Sequence, residues 1–326
     1  DFSQPLAIPS IDANQSASEQ VSLRLADPSD FLQATGIAKT FCQQLGIDKS
    51  KLVGILAQLE DTLARIRRVA VEPSTVTIAR HADGVSVDWT TSNLRLPTAE
   101  QRPGAKATET KTLPASHSRV RGMGFRWSDE PALQALHLER PHPRETMCGD
   151  MAMVARRGSL MRLAVADGLG PAAREAAQVA IRWLQSTQNE SLEEAVLTAH
   201  EQTAATRGAT LGIVDLDLKT QIISATTIGN IRVGIYQSAG RVWSPCGTDA
   251  VLGHGRGSFH GKLDVRVEKY QLPPGALVLM FSDGLANHLR LPFQRPQSLE
   301  ELGTSLLATY VVPSDDATLL MLTASR

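Results

Sequence analysis

The stretch LAVADGLG, residues 163–170, is an apolar run that ends abruptly in Asp167, and two glycines follow within three residues. The same ending returns in LVLMFSDGL, residues 277–285, and a further apolar run, DDATLLMLTA at residues 315–324, begins with two aspartates. A carboxylate at the end of a buried strand is costly unless it finds a partner. These strand ends together therefore predict one shared charged site.

Another aspartate, Asp150, precedes a strand-like segment next to the first stretch. A short turn separates MAMVAR from MRLAVADG, and this pattern is typical of a β-hairpin. In such a hairpin, Asp150 and Asp167 lie at the same end of the sheet. We expect the strand ends that carry Asp283 and Asp315 to converge on this pair.

Aspartates gathered in this way are expected to bind cations. Carboxylates within a few ångströms repel one another and raise each other's pKa, and an all-oxygen ligand set favours Mg²⁺ or Mn²⁺ over zinc. Gly168 has no side chain, so its carbonyl oxygen can approach an ion closely. Two ions about 3.5–4 Å apart could share Asp167 and hold a bridging hydroxide aimed at phosphorus. The alternative is that the Asp-Gly pairs only close strands by turn chemistry.

Several motifs follow one another along the C-terminal part of the chain: CGD, LAVADGLG, REAA, TRGATLGIVD, GNIRVGIY, LPPGALVLMFSDGL and DDATLLML. Their order and spacing resemble the bacterial SpoIIE/RsbX-type branch of the PPM (PP2C-like) serine/threonine phosphatases, over about residues 120–326. The resemblance implies an α+β fold, a PP2C-like αββα sandwich in which helices flank two antiparallel sheets. It also implies a binuclear site for Mn²⁺ or Mg²⁺.

The resemblance assigns roles to individual residues of this chain. The implied metal ligands are Asp167, the Gly168 carbonyl, Asp283 and Asp315. Asp150 is implied to hold a metal ion or its bound water. Asp150, Asp167 and Asp283 are thereby the implied catalytic residues.

The implied function is hydrolysis of phosphoserine or phosphothreonine on a bacterial regulatory protein, by a metal-bridged hydroxide, in partner-switching or stress signalling. An anti-sigma antagonist or a stressosome-like protein is the implied phosphorylated partner. Arg144 is a candidate for holding the substrate phosphate through its planar guanidinium, and a merely solvated arginine is the alternative.

One departure from the family pattern leaves a second function open. Relatives commonly read DGLGHGPEAA where this chain reads DGLGPAAREAA, so that Pro171 follows Gly170 directly. The alternative function is therefore a catalytically impaired pseudophosphatase that binds phosphoproteins as a regulatory module.

The pattern divides the chain into four parts. Residues 1–20 are polar and predict a flexible N-terminus, and residues 21–95 predict a small α+β domain with a strand, two helices and a hairpin. Residues 96–118 are poor in large apolar residues and predict a linker. Short strands dominate residues 119–326, the expected phosphatase domain. Helices are expected there at about 171–186, 191–204 and 298–310.

The N-terminal unit, residues 21–95, faintly resembles the RsbT-like GHKL kinase or anti-sigma domains. Glu60 and Asp61 stand where such domains carry a Glu and an Asn for Mg-ATP, but no Asn follows at the right place. No DxGxG lid follows the hairpin either. We therefore expect a degenerate unit that binds no ATP and serves in docking or as the contact of a homodimer.

The composition excludes several partner classes. The chain has 42% hydrophobic and 21% charged residues and a formal net charge of −1, so no bulk attraction to nucleic acid or to an anionic membrane is expected. No apolar stretch approaches the roughly 18 residues of a membrane span. The three cysteines are widely spaced and form neither a disulfide framework nor a zinc pattern. A cytoplasmic location is the expectation.

Residue spacing excludes rival chemistries. None of Cys42, Cys148 and Cys246 is followed six residues later by the arginine of cysteine-dependent phosphatases. The segment GHGRGSFHGK, residues 253–262, lacks the Ser or Thr that a P-loop requires after its lysine, so it predicts a surface turn. Cys148 is expected to be a small core residue, and Asn230 in GNIR a turn residue.

Overall fold

The fold is described from a computed structural model for residues 20–47, 49–69, 73–81, 84–91, 119–126, 133–187, 190–237, 240–254, 263–291 and 298–324. The expected flexible segment up to residue 19 and the expected linker 96–118 lie outside these residues. The same holds for residues 255–262, which are most of the predicted glycine-rich turn.

Fourteen strands and five α-helices make up the regular structure of the described ranges. The strands are β1 (Gln20–Leu25), β2 (Ser74–His81), β3 (Gly84–Thr91), β4 (Arg119–Arg126), β5 (Leu133–Arg140), β6 (Asp150–Arg157), β7 (Leu160–Gly168), β8 (Ala209–Asp217), β9 (Ile222–Ile228), β10 (Arg232–Gln237), β11 (Gly240–Trp243), β12 (Glu268–Gln271), β13 (Leu277–Phe281) and β14 (Ala317–Ala324). The helices are α1 (Pro28–Gln44), α2 (Lys49–Val69), α3 (Ala173–Ser186), α4 (Leu192–Thr203) and α5 (Leu299–Tyr310). Among the residues described, no helix combines the length and the apolar character needed to cross a membrane.

The strands form two sheets. The nine-stranded sheet has the order β1-β2-β3-β4-β5-β14-β13-β10-β11, and the five-stranded sheet has the order β12-β9-β8-β7-β6. Neighbouring strands in both sheets run antiparallel. The antiparallel architecture expected from the sequence is therefore confirmed.

The position of β7 explains why its sequence is apolar throughout, since both of its faces are buried. Leu163 and Val165 join the hydrophobic cluster between the two sheets, whereas Ala164 and Ala166 join the cluster made with α3 and α4. Successive side chains of a strand point to opposite faces. Because both faces of β7 are covered, alternation with polar residues disappears, and small alanines face the helices.

The central strand of the other sheet shows the same alternation. In β14, Leu320 and Leu322 pack between the sheets, whereas Leu319 and Met321 belong to the cluster that includes α1, α2 and α5. Two sheets therefore pack face to face with α3 and α4 on one outer side and α1, α2 and α5 on the other. This arrangement confirms the predicted αββα sandwich.

The N-terminal unit has the predicted order of one strand, two helices and a hairpin. Strand β3 pairs with β4, and β4 pairs with β5, so the N-terminal strands belong to the nine-stranded sheet. The buried side chains of Leu59 and Trp89 lie in the same hydrophobic cluster as Leu138 and Leu306. The division into domains at residues 96–118 stays a prediction.

Candidate active site

Asp150 and Asp167 form the centre of the candidate site. They are direct partners in the register of β6 and β7, and their carboxyl groups lie close enough for each to shift the pKa of the other. Asp150 is buried, at 1% exposure. Burial, and then the charge of Asp167, raises the pKa of Asp150 well above its ordinary value. Burial, and then the charge of Asp283, raises the pKa of Asp167 to about 7.

Ser282 joins this pair to the other sheet. Its hydroxyl donates a hydrogen bond of 2.6 Å to Asp150 Oδ2 and accepts one of 2.9 Å from the backbone N–H of Thr318. The backbone N–H of Ser282 donates in turn to the Thr318 carbonyl, at 3.1 Å. Asp150 at the start of β6 is thereby fixed to the strands β13 and β14.

Asp283 directly follows Ser282 and is held from another direction. Asn230 lies in the turn between β9 and β10, and its Nδ2 donates a hydrogen bond of 2.6 Å to Asp283 Oδ2. Asn230 lies in a turn, as the sequence predicts. Its hydrogen bond to Asp283 was not predicted from the sequence. The negative charge of Asp283 raises the pKa of both Asp167 and Asp315.

The aspartates before β14 have different surroundings. Asp315 is exposed, and its pKa is raised by partial burial and then by the charge of Asp283. Asp316 accepts hydrogen bonds from the backbone N–H groups of His142, at 2.7 Å, and Gly149, at 3.0 Å. Asp316 therefore fixes the loop that leads into Asp150. Sequence reasoning missed this role, although the second aspartate of DDATLLML marked the position.

The glycines that follow Asp167 and Asp283 are required by close backbone contacts. A Cβ atom at Gly168 would lie 1.6 Å from the carbonyl oxygen of Ala173, and one at Gly284 would lie 1.6 Å from the carbonyl oxygen of Asp316. Each Asp-Gly pair is thus a point where another segment crosses directly over the strand end. Turn chemistry alone does not explain these two glycines.

The loop before Asp150 is also held by α3. Nη1 of Arg174 donates a hydrogen bond of 2.7 Å to the Cys148 carbonyl. Cys148 is fully buried, and burial, followed by the charge of Asp150, raises the pKa of its thiol. It is the small core residue that the sequence predicted. Arg174 was not singled out from the sequence, where it appears only as part of REAA.

Arg144 lies in the loop between β5 and β6 and is exposed. Its backbone N–H donates to Nδ1 of His142, at 3.2 Å. Within the described part of the chain, its guanidinium makes no hydrogen bond or ion pair with the candidate carboxylates. Its role in holding phosphate stays a prediction.

The donor set fits a hard divalent cation in its chemistry. Within the described ranges, no three His, Cys, Asp or Glu side chains stand close enough to form a ready-made metal cluster. Mg²⁺ needs no such cluster, because it usually keeps several waters and binds through one or two carboxylates. The raised pKa values of Asp150 and Asp167 show that a negative charge on this pair is disfavoured, and a bound cation would remove that penalty.

The family is decided by a match over the second half of the chain. The model of the family described as Stage II sporulation protein E (SpoIIE) matches residues 157–325, which are more than half of the chain. The chain belongs to the SpoIIE family. The matched segment contains Asp167, Asp283 and Asp315, and Asp150 lies just ahead of it on the strand that pairs with β7.

Similar proteins agree with this membership. Phosphoserine phosphatase RsbX of Bacillus subtilis (strain 168) is 23% identical over 197 residues, which cover 58% of this SpoIIE family member and 94% of RsbX. A crystal structure of RsbX in complex with magnesium has a TM-score of 0.52 and 21% identity, and the match covers 62% of this chain and 100% of that one. These likenesses confirm the expected SpoIIE/RsbX-type fold.

A further solved structure comes from the bacterial stressosome, described as a modular system that has been adapted to control secondary messenger signaling. It has a TM-score of 0.53 and 28% identity, and the match covers 58% of this chain and 98% of that one. The SpoIIE family fold is thus shared over nearly the full length of these neighbours.

Proposed function

We propose that this protein is a metal-dependent protein phosphatase that removes phosphate from phosphoserine or phosphothreonine on a bacterial regulatory protein. The observation that carries the proposal is the pairing of Asp150 with Asp167 at one end of β6 and β7, with Asp283 near enough for its charge to raise the pKa of Asp167 and of Asp315. Membership of the SpoIIE family and the likeness to a phosphoserine phosphatase support the reaction class. The likeness to RsbX in complex with magnesium supports dependence on a divalent cation.

The proposed residue roles follow from these positions. The residues proposed to hold two Mn²⁺ or Mg²⁺ ions are Asp150, Asp167, the Gly168 carbonyl, Asp283 and Asp315. When bound, such cations supply a water molecule of lowered pKa and positive charge for the phosphoryl oxygens. Ser282 keeps Asp150 in place, and Asn230 keeps Asp283 in place.

The proposed substrate is a phosphorylated regulatory protein of a partner-switching or stress pathway. The likenesses to RsbX and to a stressosome structure support this class. An anti-sigma antagonist or a stressosome-like protein is the expected substrate within it. The homodimer through residues 21–95 and the cytoplasmic location also stay predictions.

The test is turnover of p-nitrophenyl phosphate by the full chain. Activity should be lost in EDTA and restored by Mn²⁺, and Asp167→Asn or Asp283→Asn should lower kcat by at least about a hundredfold, as expected when charge stabilisation in a reaction centre is removed. Asp264→Asn is the matched control, because Asp264 pairs with Arg266 on the surface outside the candidate site. A folded wild-type protein without metal-dependent turnover would instead support the pseudophosphatase alternative.

A further inference from the structure

A cleft of about 350 Å³ adjoins the Asp283 side of the candidate site. The turn between β9 and β10 forms one wall and the segment after β11 forms the other. Asn230 lines this cleft and also donates its hydrogen bond of 2.6 Å to Asp283. The cleft and the acidic site therefore share one side chain.

The lining of the cleft suits a polypeptide better than a small cofactor. Pockets for small molecules are mostly apolar and enclose the ligand. This cleft is lined largely by polar side chains: Thr227, Asn230, Arg232, Ser244, Thr248 and Asp249. Ser244 and Thr248 already donate hydrogen bonds to the carbonyls of Val233, at 2.7 Å, and Asp264, at 2.6 Å. Those two bonds fix the shape of the wall.

One atom of a lining residue has an unmet hydrogen-bonding capacity. Oδ1 of Asn230 is buried and has no hydrogen-bond partner among the described residues. Buried polar atoms in folded proteins nearly always have a partner. Asn230 thus keeps an acceptor oxygen without a donor beside the cleft, while its Nδ2 donates to Asp283.

The charged side chain of Arg232 in the lining indicates which kind of polypeptide segment the cleft would bind. Arg232 is exposed, and its Nε donates a long hydrogen bond of 3.3 Å to the neutral Oδ1 of Asn287. The lining carries one guanidinium, that of Arg232, and one carboxylate, that of the exposed Asp249, so Arg232 is the cationic partner that the cleft offers to an acidic side chain. A guanidinium binds carboxylates in a fork-like geometry with two parallel hydrogen bonds.

We propose that this cleft binds the polypeptide segment next to the phosphorylated residue of the substrate, with an acidic side chain of that segment on Arg232. The inference rests on the proposed function, because the phosphorylated residue itself is placed at the aspartates. It adds a preference for phosphoproteins with a Glu or Asp near the phosphorylated serine or threonine.

The test measures binding, so that it does not depend on turnover. Full-length protein with Asp167→Asn is titrated into two fluorescein-labelled phosphoserine peptides that differ only in having Glu or Gln on both sides of the phosphoserine. The Glu peptide should bind about fivefold more tightly, at the upper end of what one exposed ion pair contributes. Adding Arg232→Ala should remove the difference, and Arg232→Glu should reverse it.

The matched control is Lys219→Ala in the same background. Lys219 is an exposed cation in the turn after β8. Thr210, the register partner of Asp167, lies at the other end of that strand. The Lys219→Ala change should therefore leave the peptide preference intact. Equal binding of the two peptides by the parent overturns the inference. A preference that survives Arg232→Ala, or an equal weakening of both peptides by that change, overturns it as well. Absence of turnover by the wild type would overturn only the proposed function.

Discussion

Asp150 and Asp167 are direct partners across the antiparallel pair of β6 and β7, and each carboxyl group shifts the pKa of the other. Two carboxyl groups in this position need a shared proton or a cation between them. Burial is the largest cause of the raised pKa of both groups. Protons and divalent cations are therefore expected to compete for the same two side chains.

The metal-free protein should lose stability as the pH rises from about 4 to about 7. The folded-state pKa of Asp167 is about 7, whereas an unfolded aspartate titrates near pH 3.9. The folded state thus binds a proton that the unfolded state has released, so the free energy of unfolding falls across this window. Urea unfolding in EDTA at pH 5 and pH 8 measures the effect.

The control for this pH dependence is Asp167→Asn, which removes the titrating group. The variant should show a smaller fall between the two pH values, and the comparison separates Asp167 from other groups such as His200, whose pKa burial lowers. An identical pH dependence of the two proteins would show that Asp167 does not retain a proton in the folded state.

Ser282→Ala should destabilise the protein by about 1–3 kcal/mol, because it removes the donor to a buried carboxyl group and the acceptor of the Thr318 N–H. Urea unfolding at one fixed pH gives the change in the free energy of unfolding. Ser186→Ala is the control, since Ser186 donates to the Trp183 carbonyl at an exposed position, and it should stay within about 0.5 kcal/mol of the wild type. Equal effects of the two changes would contradict the bridging role of Ser282.

Gly168→Ala and Gly284→Ala should each destabilise the fold by about 3 kcal/mol or more, because the added methyl group meets the backbone of another segment and cannot be accommodated by a rotamer change. The added Cβ atom would lie 1.6 Å from a backbone carbonyl oxygen in both cases. Gly36→Ala is the control, because a Cβ there meets nothing within 4 Å. Gly36 lies within α1, so its replacement should stabilise the protein by up to about 1 kcal/mol. Thermal unfolding compares the three variants, and stable Gly168 and Gly284 variants would refute the close crossings.

Local patterns predicted the helices and the central hairpin well. The helix expected at about 171–186 corresponds to α3, Ala173–Ser186, preceded by a short 3-10 helix at Gly170–Ala172. Proline near a helix start and apolar periodicity are local signals. The pairing of Asp150 with Asp167 also follows locally, because a short turn and the apolar pattern fix the register of a hairpin.

Contacts between distant segments could not be predicted in this way. Ser282 and Asp150 are 132 positions apart, and Asn230 and Asp283 are 53 positions apart. These contacts depend on how the two sheets stack and on which strands become neighbours. No periodicity of the sequence encodes those relationships, so Ser282 appeared only as the residue before Asp283.

The pairing of the N-terminal strands with the rest of the sheet was likewise not predicted. An alternating pattern marks β3 and β4 as strands, but it does not say which edge each one joins. In the structure, β4 lies between β3 and β5. A partner across a stretch as long as residues 92–118 is a tertiary relationship that composition cannot supply.

The central claim is that the gathered aspartates form a divalent metal centre. Crystals soaked in Mn²⁺ and measured near the manganese absorption edge locate bound ions directly by their anomalous scattering. We predict two peaks about 3.5–4 Å apart, with the carboxylate of Asp167 between them and Asp283 and Asp315 beside them. Absence of any anomalous peak within about 3 Å of the Asp167 carboxylate at saturating Mn²⁺, beyond the range of a metal–oxygen bond, would contradict the claim.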